Sequence, residues 1–217
     1  MKIQSTGQNF NGIKIASARA KLDGAVSTYE LYRITDKDTK YLDNLVSNTD
    51  LKKLYPGLKD FDYYCWEKAL KGMLNYSRKR FETLLISKNG IPCGALNYSR
   101  SIQNTCDVGY RVTWPDKTGQ KAVFAGKILY LNLFKECLSQ GVRSIKTIVN
   151  RVGPFDAITK CYQLGFCFNG GDNSVEIMGI GQKGMKTSLE KFKDNIEIIP
   201  EPEETQQDID LSEILKS

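Results

Sequence analysis

The chain has no histidine. That removes Ser-His-Asp and Cys-His catalysis and every zinc site built on imidazole. Proton transfer is left to carboxylates, tyrosine, cysteine, lysine or water. The six cysteines, at positions 65, 93, 106, 137, 161 and 167, form no C-x-x-C pair and no paired framework. They read as thiols in or near a core, and no metal is expected. No apolar run approaches the ~18 residues that a membrane-spanning helix needs. Residues 1–27 hold only short apolar pieces such as Ile13-Lys14-Ile15, without the continuous stretch of a secretory signal. The expectation is a cytoplasmic protein in a reducing compartment, with no membrane partner.

What remains is a globular composition: 217 residues, 41% hydrophobic and 26% charged, which suggests one domain with appendages. The net charge of +6 is unevenly spread, because residues 197–217 carry seven acids against one lysine, a local −6, so residues 1–196 carry +12. A basic body fits an anionic ligand such as a nucleotide cofactor, loose nucleic-acid association, or simply a solvated lysine-rich surface. No recognisable nucleic-acid-binding motif accompanies it.

Residues 1–27, polar and with three glycines, read as a mobile leader. Residues 28–35 alternate as a strand. Residues 36–47 and 60–78 carry helical spacing, the second through Tyr64, Leu70, Met73 and Leu74. Residues 81–87 and 91–98 flank Asn89-Gly90 and read as a hairpin. A strand at 106–113, a long apolar helix at 121–140 closed by Gly141, and a strand at Ser144–Asn150 follow. Gly153-Pro154 opens a helix over 154–164, Gly165 stops it, and strands at 166–168 and 174–180 complete the order. Residues 182–217, charged and Pro/Glu-rich, read as a disordered acidic tail, with a short binding helix at Asp210–Leu215.

The stretch Ala157–Phe166, AITKCYQLGF, is the most telling. A strand, a one-sided helix closing on Leu164-Gly165-Phe166 and an immediate strand resemble the end of an acetyl-CoA-dependent N-acetyltransferase of the GNAT superfamily, whose consensus reads roughly Asn-x-x-Ala-x-x-x-Tyr-x-x-x-Gly-Phe. The order of elements over roughly residues 28–181 resembles that family too. The resemblance implies an α/β (α+β) fold: a GNAT-like central mixed, mostly antiparallel sheet of about seven strands flanked by about four helices. It implies an acyltransferase that moves an acetyl group from acetyl-CoA, as cosubstrate, to an amine on a small molecule or a protein by direct nucleophilic attack. Two alternatives stand beside it: a catalytically inactive GNAT-fold binding module, and a basic nucleic-acid-associated domain.

In the family, a turn rich in backbone N–H groups at the start of the long helix grips the CoA pyrophosphate, in a pattern near (Gln/Arg)-x-x-Gly-x-(Gly/Ala). Carried onto this chain, the resemblance assigns Lys117, Thr118, Gly119, Gln120, Lys121, Ala122 and Gly126 to that turn. Gly119 falls on the first phosphate glycine, Lys121 stands where a small residue is expected, and Gly126 is the second glycine displaced by about one helical turn. Lys117, Lys121 and Lys127 add charge. The backbone of Val112 and Thr113 is assigned to the pantetheine arm. The family's thiolate-protonating tyrosine lies four residues before the Gly-Phe glycine, a slot that here holds Cys161, with Tyr162 one residue on and rotated by about 100°. The thiol reads either as an acid or as a small buried residue. Asp107, at the start of the fourth expected strand, is the candidate base, Glu82 a weaker one, and a water chain serves equally. Tyr55, Tyr63, Tyr64 and Trp66 either line an acceptor groove or pack as core.

Two glycine patterns carry less. Gly119…Gly126-Lys127 has the wrong spacing for a Walker loop, and Ile128 replaces the magnesium-binding hydroxyl. Gly179-Ile-Gly-Gln-Lys-Gly184 matches G-x-G-x-x-G, with Glu201 as ribose acid, but too little chain follows to build a dinucleotide-binding sheet.

Overall fold

The computed structural model describes residues 11–34, 60, 63–64, 67–69, 71–72, 81–89, 91–113, 122–151, 156–202 and 208–210. The chain opens on a hairpin of β1 (Asn11–Leu22) and β2 (Ala25–Ile34). Its two-residue turn, Asp23-Gly24, is left-handed at both positions, φ 49° and 81°, which matches the twist of the flanking strands. Then come β3 (Glu82–Lys88), β4 (Ile91–Arg100) and β5 (Thr105–Thr113), α1 (Ala125–Ser139), β6 (Ser144–Asn150), α2 (Ala157–Gln163), β7 (Cys167–Gly171), β8 (Val175–Gly181), α3 (Gln182–Phe192), β9 (Ile196–Pro200) and β10 (Asp208–Asp210). The described residues from Asp60 to Gly72 are helical, while the expected helix at 36–47 lies outside the described residues.

The strands form one sheet in the order β10-β1-β2-β3-β4-β5-β6-β8-β7, with β9 also on β1. Every pairing is antiparallel except β5 with β6. This is the expected mixed, mostly antiparallel α/β sheet, with ten described strands instead of about seven. The additions are β1, β9 and β10. Residues 11–22 are therefore sheet and not mobile leader: Ala16, Ala18 and Ala20 alternate into the core, as a half-buried strand requires. The expected tail likewise starts with ordered elements, α3 and β9.

The chain after β8 explains α1. Ile128, Leu129, Tyr130, Leu131, Asn132, Leu133, Phe134 and Cys137 are all buried, so the middle of the helix is enclosed on every side and needs two covers. The sheet supplies one. The other is α3, which presents Met185, Ser188 and Phe192 inward with Leu189 beside them; burial of Met185 or Phe192 contributes about 1.5–3 kcal/mol each. Lys135 of α1 donates to the Ile198 carbonyl at 2.8 Å, tying β9 to the same layer.

Four local expectations shift. The long helix starts at Ala125, not 121. The next helix is Ala157–Gln163, with Asp156 as its cap accepting from the Thr159 N–H; Gly153-Pro154 lies outside the described residues. Strand β7 begins at Cys167 and absorbs Asn169-Gly170-Gly171, leaving Asp172 to make the turn, where its Oδ1 accepts from Ser174 N, Ser174 Oγ and Val175 N. Strand β8 runs Val175–Gly181, one residue later than expected at each end. Gly165 does stop α2: at φ 84° its N–H reaches the Tyr162 carbonyl at 2.9 Å while Phe166 N–H reaches Cys161 at 3.1 Å, a Schellman closure.

Candidate active site between β5 and β6

The parallel β5–β6 ladder has four rungs, from Thr105↔Ser144 to Val108↔Thr147. Beyond them β5 continues to Thr113 and β6 to Asn150 without another rung. On its other side β5 stays paired with β4 to Thr113↔Gly94. The strands part where Gly109 and Tyr110 of β5 together oppose Asn97 of β4. Such a bulge bends the strand and increases its twist. Asn97 is fully buried, and its Oδ1 accepts the Tyr110 N–H at 2.7 Å, satisfying the donor that the bulge takes out of the ladder. The Tyr110 ring lies so close to Gly72 that a Cβ there would overlap it. Gly72 thus packs on the side chain of the bulge.

At the wide end of this opening stands the N-terminus of α1. Phe124 caps it in a left-handed conformation, φ 64°, with no side-chain cap and no acidic residue in the first turn. The positive end of the helix dipole therefore meets no acidic side chain from the helix's own first turn. Gly126 lies over the end of β5, its missing Cβ 3.6 Å from Thr113 Cγ2 and 3.7 Å from Arg111 Cδ. Lys127 Nζ sits between the rings of Phe124 and Phe192, at 5.0 and 4.9 Å; burial, then Lys191, hold its pKa below the ordinary lysine value. Of the residues assigned to the phosphate turn, Ala122 and Gly126 lie here, and Val112 and Thr113 lie on β5 above the ladder. Lys117, Thr118, Gly119, Gln120 and Lys121 are outside the described residues. Because α1 opens at Ala125, the glycine in its first turn is Gly126.

Neighbouring residues of α2 point in opposite ways. Cys161 is 2% exposed and Tyr162 48%. Tyr162 lines an outer groove of about 370 Å³ with Lys183, Thr187 and Lys191 of α3, away from the β5–β6 opening. Cys161 faces inward, and burial raises its thiol pKa, with Arg111 partly offsetting that. The Arg111 guanidinium lies 5.3 Å from the centre of the Tyr130 ring. Tyr130 is pushed up to about 12 by burial, against the pull of Arg111 and a side-chain hydrogen bond with Thr147. The structure thus gathers Arg111, Tyr130, Thr147 and Cys161 under the opening. Among the described residues no carboxylate pairs with Arg111.

Asp107 is on the third rung, opposite Lys146, and next to Ser99 of β4. Its neighbour Cys106 is buried against Cys137 of α1, so by strand alternation Asp107 points to the other face, where it is exposed. Glu82 belongs to a separate cluster. Its Oε2 accepts from Tyr98 at 2.9 Å, and Arg33 and Arg100 bridge it to Glu136 of α1. Glu201 pairs with Lys14 at 3.0 Å and accepts from Ser17 at 3.1 Å; the Gly179–Gly184 run is the end of β8 and the first turn of α3. Tyr63 is half-buried and Tyr64 is 58% exposed; Tyr55 and Trp66 are outside the described residues.

Arg111, Tyr130 and Thr147 escaped the reading of the sequence. A signal for Tyr130 was present: a phenol within the apolar run Ile128–Leu131 needs a polar partner once buried.

No family model and no curated protein matches the sequence. Solved structures do match in shape. The PaiA N-acetyltransferase from Thermoplasma acidophilum, in complex with coenzyme A, aligns with TM-score 0.52 and 19% identity over 70% of this chain and 98% of its own. The ribosomal-protein-S18-alanine N-acetyltransferase from Escherichia coli gives 0.51 and 14% over 70% and 93%. FdhC, described as a nucleotide-linked sugar GNAT, gives 0.53 and 13% over 86% and 98%. With its parting β5 and β6 and the bulge beside them, the chain has the fold of the GNAT superfamily of N-acetyltransferases.

Proposed function

We propose that the protein transfers an acetyl group from acetyl-CoA to an amine by direct attack. The observation that carries this is the β5–β6 opening with an uncapped helix N-terminus at its wide end. An extended, anionic thioester fits such a place. The N–H groups around Gly126 and the charge of Lys127 would hold its pyrophosphate, with the 117–121 segment and Ala122 completing the turn. The backbone of Val112 and Thr113, beyond the last β5–β6 rung, would run alongside its amide arm. The neighbour that holds coenzyme A supports the choice of cosubstrate. Asp107 or a water takes the amine proton, and the acceptor is a small-molecule or protein amine. The work is expected to be cytoplasmic; no helix among the described residues is long and apolar enough to cross a membrane.

A second reading, a GNAT-fold binding module without catalysis, draws on one observation. The acid slot holds Cys161, a buried thiol of raised pKa, while Tyr162 faces away.

Calorimetric titration with CoA and acetyl-CoA is the test. Binding is expected in the wild type, weakened about tenfold or more by Gly126→Val, whose side chain would meet Thr113 and Arg111. No heat and no shift in melting temperature at saturating acetyl-CoA would refute the proposal. With binding established, release of CoA thiol against a panel of polyamines, aminoglycosides, peptides and amino acids separates enzyme from binding module.

A further inference from the structure

We infer that the groove between α2 and α3 is a binding site for a phosphate monoester, held by Lys183 and Lys191. Helix α3 follows the residues that carry the family resemblance, so the site is this chain's own addition. It stands independently of the acyl-transfer reading, which supplies one of two sources for the phosphate.

Spacing along α3 sets the site. Met185, Ser188 and Phe192 are buried. Lys183, Thr187 and Lys191 recur four residues apart and share another face. The end of α2 lies along that face, where Tyr162, Gln163 and Gly165 form the opposite wall of a groove of about 370 Å³. The walls close up at glycine: a Cβ on Gly184 would stand 2.7 Å from the Ile180 side chain and 3.7 Å from the Gly165 carbonyl.

Lys191 is fixed in place. Its Nζ donates to the Gln163 carbonyl at 3.1 Å and lies 5.3 Å from the centre of the Phe192 ring. Lys127 of α1 approaches the same ring at 4.9 Å, so two ammonium groups share one aromatic face or edge. Glu190, next to Lys191 in sequence, is paired with Lys193 instead. Among the described residues no carboxylate pairs with Lys127, Lys183 or Lys191. Like charges held together without an acid repel, and an anion among them reverses the sign.

The lining names the anion. An ammonium is a compact charge with three donors on a flexible stem, and Lys191 spends one of the three on Gln163. Lys183 and Lys191 start about 12 Å apart along the axis, a span that their stems can close over one compact group. Tyr162 and Thr187 add hydroxyls to the walls. Ser188, 3% exposed, also lines the groove, and its Oγ has no hydrogen-bond partner. Such charge-assisted and hydroxyl donors suit phosphate oxygens. A monoester brings close to two negative charges at neutral pH, which matches two lysines where a carboxylate brings one. Its source is either the ribose phosphate of CoA, whose pyrophosphate would lie at Lys127, or a phosphate on another small molecule.

The test uses the full chain with inorganic phosphate, CoA and dephospho-CoA, which lacks the ribose phosphate. Titration with inorganic phosphate should shift the amide resonances of α2 and α3 saturably. Lys183→Gln with Lys191→Gln should weaken that binding about tenfold or more. Lys186→Gln, equally exposed on α3 but outside the groove, should leave it unchanged. If CoA is the source, the wild type should bind CoA about tenfold or more tighter than dephospho-CoA, and the double variant should bring the two together. Equal affinities, with phosphate binding intact, assign the groove to another phosphorylated ligand. The inference is overturned if phosphate produces no saturable shift at α2–α3 and CoA and dephospho-CoA bind alike. It is also overturned if Lys186→Gln loses as much as the double variant, which would leave only diffuse attraction. A wild type that binds no CoA but keeps lysine-dependent phosphate binding would remove the acyl-transfer reading and leave this site standing.

Discussion

Phe166 closes the sequence signature, and its packing can be tested quantitatively. It is 1% exposed and holds two rings of α1: Tyr130 edge-on at 5.4 Å and 69°, and Phe134 tilted at 5.9 Å. Replacing a fully buried Phe by Ala costs about 3–5 kcal/mol, of which the edge-on contact accounts for roughly 0.5–1.5 kcal/mol. For a chain of this length each kcal/mol lowers the melting temperature by about 2–4 °C, so Phe166→Ala should melt roughly 6–20 °C below wild type. Phe166→Leu, which refills most of the space, should recover more than half. Urea unfolding followed by circular dichroism gives the free energies at unchanged slope. A double-mutant cycle with Tyr130→Leu should then show a coupling of about 0.5–1.5 kcal/mol, because the rings touch. A loss below ~1 kcal/mol for Phe166→Ala, or no coupling to Tyr130, would show that the Gly-Phe signature ends α2 without seating α1.

Glu136→Gln leaves Arg33 and Arg100 sharing only Glu82 at the foot of α1; since both arginines keep some solvent, the cost should be about 1–3 kcal/mol, read as a fall in melting temperature that Arg100→Gln in the same chain partly reverses, and additive losses would refute the cluster. Gly72→Ala places a Cβ against the Tyr110 ring and should destabilise by roughly 1–3 kcal/mol; Tyr110→Ala should relieve it, whereas independent effects would separate Gly72 from the bulge. Glu201 is held below its ordinary value of 4.5 by its hydrogen bond to Lys14, against slight burial and with help from Ser17. A lowered carboxylate pKa contributes stability above the unfolded value that is lost as pH falls through the folded one. Glu201→Gln should therefore flatten the pH dependence of the melting temperature below about 4.5, and superimposable acid limbs would count against the pair.

Much of the fold is written locally. Asp23-Gly24 between alternating runs is a hairpin turn, although the flanking alanines make β1 look polar and featureless. The spacing of Met185, Ser188, Leu189 and Phe192 is a helical face, and α1, buried all round from Ile128 to Phe134, demands a second cover. The edge is harder to read. Strands β9 and β10 pair with β1 across more than 175 residues, and no local pattern names a partner so distant. The charge of the tail also misleads: Glu197 alternates outward while Ile196 and Ile198 are buried, so an acidic stretch conceals a strand.

The site was hidden by one residue of register. Cys106 and Val108 face α1, and strict alternation would put Tyr110 and Val112 there next, sending Arg111 and Thr113 to the opposite face. The bulge at Gly109-Tyr110 inverts that order. Arg111 pairs with Leu96, a core residue under α1, and both Arg111 and Thr113 approach Gly126. Val112 instead joins Tyr32, Leu85 and Ala95 in a buried row on the other face. One extra residue, held by the buried Asn97 amide, thus stands where β5 parts from β6 and turns a guanidinium toward Gly126 and Tyr130 of α1. A sequence reading that counts strictly by twos finds neither the opening nor its cation. Deleting Gly109 would restore the count and should send Arg111 back to the opposite face; loss of acetyl-CoA binding in calorimetry is the expected result, and unchanged binding by a folded variant would refute it.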